Sequence, residues 1–420
     1  MSHDDPERPL VELAAAQTKV LDACAPLAPV VVPVTAALGL VAAADVRSRA
    51  ALPAFANSAM DGYAVRAADC TDPGVTLEVV GAVMAGERAT AVLGAGQAVR
   101  IMTGAPVPDG ADAVCPVEQT TLTIDGAKVV VGTALRAGRH VRRPGEDVAV
   151  GDMVLHAGDR VGPAHVGLLH GLGEDEVAVV PRPRVGVLST GDELVGERDG
   201  AGSGRIRDTN RATLLGLLTG DGFPAVDLGR VGDDEDAYLA ALRAAASAGC
   251  DVVCSTGGVS FGDRDAVRAA LTSRVATRVL AATEVAIKPG KPQVFAVLTD
   301  PELRVFGLPG NPVAAVVSWE LFVRPALRTM AGLAAVHRPR VAASAGVPMP
   351  RRRDGKIHLV PVSIHPGAPP VCEPSGRFGS HILSSLLAAD GFAVLPDGDG
   401  AEEGATVECM VTRPDAVLGA

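Results

Sequence analysis

From residue 184 to 330 the chain alternates short apolar runs with amphipathic stretches, four times in succession. The apolar runs are RVGVLST (184–190), AVDLGRV (225–231), DVVCST (251–256) and RVFGL (304–308). Each precedes a helical pattern. The first is DTNRATLLGLLTG (208–220), with Asp208 or Thr209 as N-cap and Gly220 near the C-cap, and the second is DEDAYLAALRAAASAG (234–249). The third is the segment after Asp263, and the fourth, PVAAVVSWELFVRPAL (312–327), opens on proline. This repetition predicts a parallel sheet covered by helices on both faces. The connection 274–287 carries no clear period.

At 420 residues the chain has room for two to four domains. Residues 10–24 read as an amphipathic helix and 35–44, after Pro33, as a second short one. From 50 to 145 the texture is β: runs at 75–83, 97–102 and 113–116, and an Asp125-Gly126 hairpin signal between 122–124 and 128–131. A helix is predicted over 163–171. Beyond 338 short strands return in HLVPV, FAVLP and TVECMV. With aromatics at 3%, the core is built from small aliphatic side chains.

A net charge of −11 argues against a nucleic-acid carrier and against an anionic membrane surface. Seven scattered cysteines without a C-x-x-C pair suit a reducing cytosol. The polar, acidic start (MSHDDPERP) is the reverse of a signal peptide, and the longest apolar run is interrupted by Glu320 and Arg324. The expectation is a soluble, cytoplasmic protein with neither a nucleic-acid nor a membrane partner.

In an open α/β sheet, ligands bind beyond the carboxyl ends of the strands. Here those ends run into Thr190-Gly191-Asp192-Glu193, Gly232-Asp233-Asp234, Gly257-Gly258-Val259-Ser260 and Pro309-Gly310-Asn311-Pro312. Three loops, STGGVSFGDRD (255–265), KPGKP (288–292) and GLPGNP (307–312), suit an oxyanion. Their glycines permit close backbone approach and an N–H nest, Lys288 and Lys291 add positive charge, and Asp263 and Asp265 are candidate metal ligands. Asp192 and Asp234 read equally as helix N-caps, and Gly310-Asn311 as a turn. Outside this block, Asp61-Gly62 in NSAMDGYAV (57–65) reads first as a tight turn. RIMTGAPVPDGAD (100–112) offers Thr103 to a phosphate, and RRPGEDVAVGD (142–152) joins two arginines to Glu146 and Asp147. GAGQAV (94–99) reads as a turn. The nine histidines show no metal-ligand spacing, so carboxylates in phosphate-rich surroundings favour Mg2+.

SAMDGYAV, RIMTGAPVPDGADAV, GED, RPRVGVLSTGDELV, DTNR, VGDD, TGGVSFGDRD, AIKPGKP, GLPGNPV and GSHILSSL stand in the order seen in molybdopterin molybdenumtransferases. The chain thus resembles, from about residue 10 to 412, the MoeA family, which includes the E domain of gephyrin. The resemblance implies a multidomain α/β plus β protein. Its parts are a discontinuous N-terminal helical and linker domain (1–49 and 146–181), an inserted β domain (50–145), a central α/β domain like molybdopterin adenylyltransferases, with a parallel sheet (182–331), and a C-terminal β-barrel-like domain (332–420). It implies a homodimer whose active site lies between the α/β domain of one subunit and the β domain of its partner. The implied reaction takes adenylylated molybdopterin and molybdate as substrates with Mg2+ and releases AMP. A molybdopterin adenylyltransferase and apo-molybdoenzymes are the implied protein partners.

Residue by residue, the resemblance assigns catalysis to Asp61, Glu193, Asp233 and Asp265, with Asp233 and Asp265 as metal ligands. It assigns substrate binding to Thr103, Asp147, Gly257, Gly258, Ser260, Lys288, Lys291 and Asn311. Three positions depart from the family pattern. Glu284 stands where a basic residue is common, Pro361 where an arginine is common, and Thr256 in place of serine. The two lost cations imply weaker molybdate binding or a shift toward tungstate, unless Arg351–Arg353 compensate. The alternative to an enzyme is a non-catalytic scaffold that binds pterin or a partner peptide, as the E domain of gephyrin does.

Overall fold

The computed structural model describes residues 9–87, 90, 92–196, 202, 204–259 and 265–418. Two compact units emerge. One is Val31–Val179, and the other is formed by the segments that flank it.

In the flanking unit, four strands run parallel in the order Ala225–Val231, Val185–Thr190, Val252–Thr256, Glu302–Leu308. The inner strands are buried along their whole length, as parallel strands covered on both faces must be. Successive residues supply opposite faces. Val185, Val187, Val252 and Cys254 pack with Leu214 and Leu218 of the helix Thr209–Asp221 and with Val313, Val317 and Trp319. Leu188 and Val253 pack on the other side with Tyr238 and Leu242 of the helix Glu235–Ser247 and with Val267 and Leu271 of Ala266–Ser273. The edge strand Ala225–Val231 is half exposed and carries Asp227 and Arg230, charges suited to an unpaired edge.

The connection without a clear period becomes strand Thr277–Glu284, which pairs antiparallel with Pro292–Thr299, itself antiparallel to Glu302–Leu308. The sheet is thus mixed at that end, because a short turn between consecutive strands brings them back antiparallel. Pro312–Ser318 and Arg324–Met330 are one helical run joined by a π-helical segment, Trp319–Val323. Its charged residues are buried in a network: Arg338 binds both Glu320 oxygens (2.7 and 3.0 Å), and Arg324 binds Asp221 (2.9 Å). Burial, the largest influence on Glu320, holds its carboxyl above the ordinary range despite the arginines. The helix Leu13–Leu21 packs Leu13 and Val20 into this same core.

Beyond residue 339 five strands close into a barrel: Arg340–Ala345, Ile357–His365, Val371–Pro374, Gly391–Leu395 and Thr406–Val411. A short strand, Ile287–Lys288, adds to it, parallel to Ile357–His365, with Lys288 opposite His358.

Val31–Val179 holds a six-stranded sheet that includes Gly62–Val65, Val75–Val83, Gln97–Ile101, Ala113–Pro116, Thr120–Leu122 and Lys128–Val131. Thr120–Leu122 and Lys128–Val131 pair across the Asp125-Gly126 turn, where Gly126 has φ +69°. The helix Pro163–Gly171 is present, but the one expected over 35–44 is not. A 3-10 turn, Val34–Ala36, leads instead to a short strand, Val41–Ala42. Three or four residues cannot outlast the cost of helix nucleation without a packed face. All seven cysteines are free and buried, and burial pushes the Cys24 thiol up to about 11. No helix among the described residues is long and apolar enough to cross a membrane.

Candidate functional site

Four parallel strands place their carboxyl ends on one edge of the sheet, where a cavity of about 810 Å³ opens. Glu193, Asp233, Asp265, Gly257, Gly258, Lys288, Lys291 and Asn311 all line it. Ser260 and Asp263 lie outside the described residues. Phe378, Gly379 and Ser380 complete the wall. Sequence reasoning passed over these three as site residues, although GSHILSSL begins at Gly379.

The backbone geometry explains why glycine is needed at one turn. Gly257 has φ +93°, and a Cβ there would lie 2.4 Å from Thr190 O. Its N–H is donated to Leu308 O (3.1 Å) and is therefore spent on the sheet, which removes it from the expected anion nest. The KPGKP loop is fixed from beneath. Gln293, buried, donates to Gly290 O and to Ser318 Oγ (both 2.6 Å), and Ser318 passes a hydrogen bond to Ala314 O. On its other flank Lys288 is held in register against the barrel.

The carboxylates at the strand ends divide into two groups. Asp208 caps its helix by accepting from Arg211 N (3.1 Å), and Asp234 caps the next by accepting from Ala237 N (2.7 Å). Gly222, with φ +76°, takes the C-cap position expected near Gly220. Asp192 is not a cap. Its Oδ1 accepts the N–H of Asp233 (3.2 Å) and ties two strand ends together. The side chains of Glu193 and Asp233 have no hydrogen-bond or ion-pair partner among the described residues. Asp265 precedes the helix Ala266–Ser273 without capping it.

The lysines are differently engaged. Lys291 Nζ lies 2.8 Å from Glu284, whereas Lys288 Nζ lies 3.9 Å from Asp354. Asp354 also meets Arg351 (2.9 Å), His358 (3.1 Å) and Lys356 (3.5 Å). Desolvation opposes the Asp354 charge, but the bond from His358 and the surrounding cations outweigh it and lower its pKa. Desolvation of His358, helped by Arg351 and Lys288, keeps that imidazole below its ordinary value. Arg351 is further bound to Asp397 (2.6 Å) and Arg353 to Asp399 (2.7 Å). Both arginines are thus paired with carboxylates of their own region. Pro361 sits in the barrel strand opposite Phe392.

In Val31–Val179, Asp61 Oδ1 accepts both the backbone N–H and the hydroxyl of Thr103 (2.7 Å each). Those bonds, side chain first, hold the exposed Asp61 carboxyl below the usual range. Gly62 opens a strand instead of a tight turn. A Cβ at that position would fall 1.9 Å from Cys115 O, so strand packing is what demands glycine. Asp147 lines a cavity of about 480 Å³ with Leu52, Pro53, Asn57, Arg142 and Glu146. Among the described residues no cluster of three His, Cys, Asp or Glu side chains is poised to hold a metal.

Comparison with known proteins accounts for most of the chain. Residues 11–173 match the MoeA N-terminal region (domains I and II), 186–329 a probable molybdopterin-binding domain, and 346–411 the MoeA C-terminal region (domain IV). Molybdopterin molybdenumtransferase 2 of Mycobacterium tuberculosis is 40% identical over 386 residues, covering 88% of this chain and 91% of that protein. The Haemophilus influenzae molybdopterin molybdenumtransferase is 36% identical over 373 residues, covering 88% and 90%. A crystal structure of a molybdopterin biosynthesis MoeA protein from Pyrococcus horikoshii superposes with a TM-score of 0.73 at 29% identity, covering 96% of this chain and all of that one. The strand-end cavity, the closed barrel and these similarities agree, and the chain belongs to the molybdopterin molybdenumtransferase family.

Proposed function

We propose that this protein inserts molybdenum into adenylylated molybdopterin, taking molybdate as co-substrate and releasing AMP. The observation that carries this reading is the lining of one cavity. Two lysines of a single loop and three carboxylates from three other loops share it. Such a charge pattern suits phosphate and oxyanion groups bridged by a hard cation.

The donor set fits Mg2+. That ion is commonly held by one or two carboxylates, with water and substrate phosphates completing its octahedron. Asp233 and Asp265 are the residues that would hold it. When bound, Mg2+ neutralises charge at the phosphoanhydride.

The protein's own groups then bind and orient. Lys288 and Lys291 attract the compact molybdate dianion, with Gly258, Asn311 and Ser260, the last outside the described residues, as the proposed phosphate and oxyanion contacts, while Gly257, whose N–H is already donated to Leu308 O, serves by shaping the turn. Glu193 orients the attacking oxygen or water, and Asp61 is the second candidate for that task. Thr103 and Asp147 are proposed as further substrate contacts on Val31–Val179. We further propose a cytoplasmic homodimer that works between a molybdopterin adenylyltransferase and apo-molybdoenzymes.

The test is to incubate the purified protein with adenylylated molybdopterin, Mg2+ and molybdate, and to quantify AMP. Release that depends on molybdate supports insertion. No release under conditions where the substrate is intact overturns it.

A further inference from the structure

The two lysines of the KPGKP loop face different opponents. Asp354, beside Lys288, is already surrounded by Arg351 at 2.9 Å, His358 at 3.1 Å and Lys356 at 3.5 Å, and Lys288 is its most distant partner at 3.9 Å. Lys288 is therefore only weakly claimed by that carboxylate. Glu284, by contrast, has Lys291 as its one ion-pair partner among the described residues, at 2.8 Å. Lys291 lines the cavity and Glu284 is not among its lining residues. The ammonium of Lys291 thus leans on a carboxylate outside the cavity it serves.

The geometry holds Glu284 firmly in that position. It ends the strand Thr277–Glu284 opposite Pro292, its carbonyl accepts from Val11 N (2.8 Å), and the next residue donates from Val285 N to Lys291 O (2.7 Å). Its side chain is 16% exposed, against 43% for Lys291. The mobile member of the pair is therefore the long lysine side chain, which can swing, and the fixed member is the carboxylate.

We propose that Glu284 is a built-in competitor for the cavity's anion. A tetrahedral dianion gains Lys291 only by drawing its ammonium away from Glu284, so the glutamate lowers oxyanion affinity and selects for ligands of high charge. This inference rests on the oxyanion reading of the cavity. It assigns Glu284 a specificity role without contact to the reacting atoms.

The experiment is calorimetric titration of the full-length protein with sodium molybdate, in the absence of any pterin, for wild type, Glu284→Gln, Lys291→Met and the double variant. Glu284→Gln is expected to tighten molybdate binding by about threefold to fivefold, the worth of a half-exposed pair that no longer has to be broken. Most of that gain should vanish in the Lys291→Met background. A Glu284→Gln variant that binds molybdate no more tightly than wild type overturns the proposal. So does a full gain that persists without Lys291, since Glu284 would then act only by general repulsion. Circular dichroism and melting temperature establish that each variant is folded. If neither wild type nor Glu284→Gln binds molybdate, the oxyanion reading of the cavity fails and this inference with it. Binding without the predicted coupling sinks the inference alone.

Discussion

The strand-end cavity and the Asp61 loop both carry acidic residues, but they hold them differently. Glu193 and Asp233 line the cavity without an internal hydrogen-bond or ion-pair partner among the described residues. Asp61 has two hydrogen bonds from Thr103, both on Oδ1. A carboxylate with no internal partner keeps its full acceptor capacity for a ligand or cation. One that already accepts two bonds is preset in orientation, with Oδ2 left to act. The comparison therefore separates carboxylates that build structure from those open to chemistry, and it can be tested by removing members of each group.

The largest effect belongs to a fully committed carboxylate. Glu320→Ala leaves Arg338 and Arg324 with Asp221 as their remaining acidic partner in a buried network, and should cost about 3–5 kcal/mol in urea denaturation. A loss below about 1 kcal/mol, the range of surface pairs, would show that burial does not set the worth of this network. Next comes a cavity carboxylate. Asp265→Ala should lower molybdate-dependent AMP release by roughly two to three orders of magnitude, with circular dichroism establishing that the variant is folded. Retained release would refute its proposed metal role.

Asp234→Ala is the matched control from the same edge of the sheet. Loss of its cap should destabilise by about 1 kcal/mol and leave AMP release intact. If activity falls and stability does not, the division between the two groups is misplaced. The smallest effect concerns Asp61. Thr103→Ala removes the hydroxyl bond and keeps the backbone one, so the Asp61 pKa should rise part of the way toward 3.8, read by carbon NMR titration. The sign follows from a depressed folded-state pKa. The stabilising contribution of Asp61 is present above its unfolded value and is lost as pH falls through the folded one. An unchanged titration in Thr103→Ala would mean that the backbone N–H alone sets the shift.

Much of this architecture was legible because burial on both faces leaves a mark in sequence. VGVLST and VVCST read as strands from their unbroken apolar runs, and Asp208 and Asp234 announced the helices that follow them. The hairpin Thr277–Thr299 was not legible, since its outer strand is half exposed and lacks a steady period. Asp61-Gly62 was misread because glycine before an apolar run marks a turn as often as a close strand contact. Only the 1.9 Å approach of Cys115 O tells them apart. Of the candidate site, the residues on strand ends were found because topology fixes where parallel strands finish. Phe378 and Ser380 were missed because nothing local distinguishes a loop that happens to fold over a cavity.

By itself the sequence determined the four strand–helix repeats, the family and most of the residues gathered beyond the strand ends. These follow from local period, turn chemistry and motif order, which act within a few residues of the chain. Tertiary structure alone decided which charges are free. Lys291 pairs with Glu284, Arg351 with Asp354 and Asp397, and Asp192 with the backbone of Asp233, while among the described residues the carboxylates of Glu193 and Asp233 meet no partner. Electrostatic partnership depends on distances of a few ångströms between residues as much as 117 positions apart, as for Arg338 and Asp221, and no local pattern encodes it.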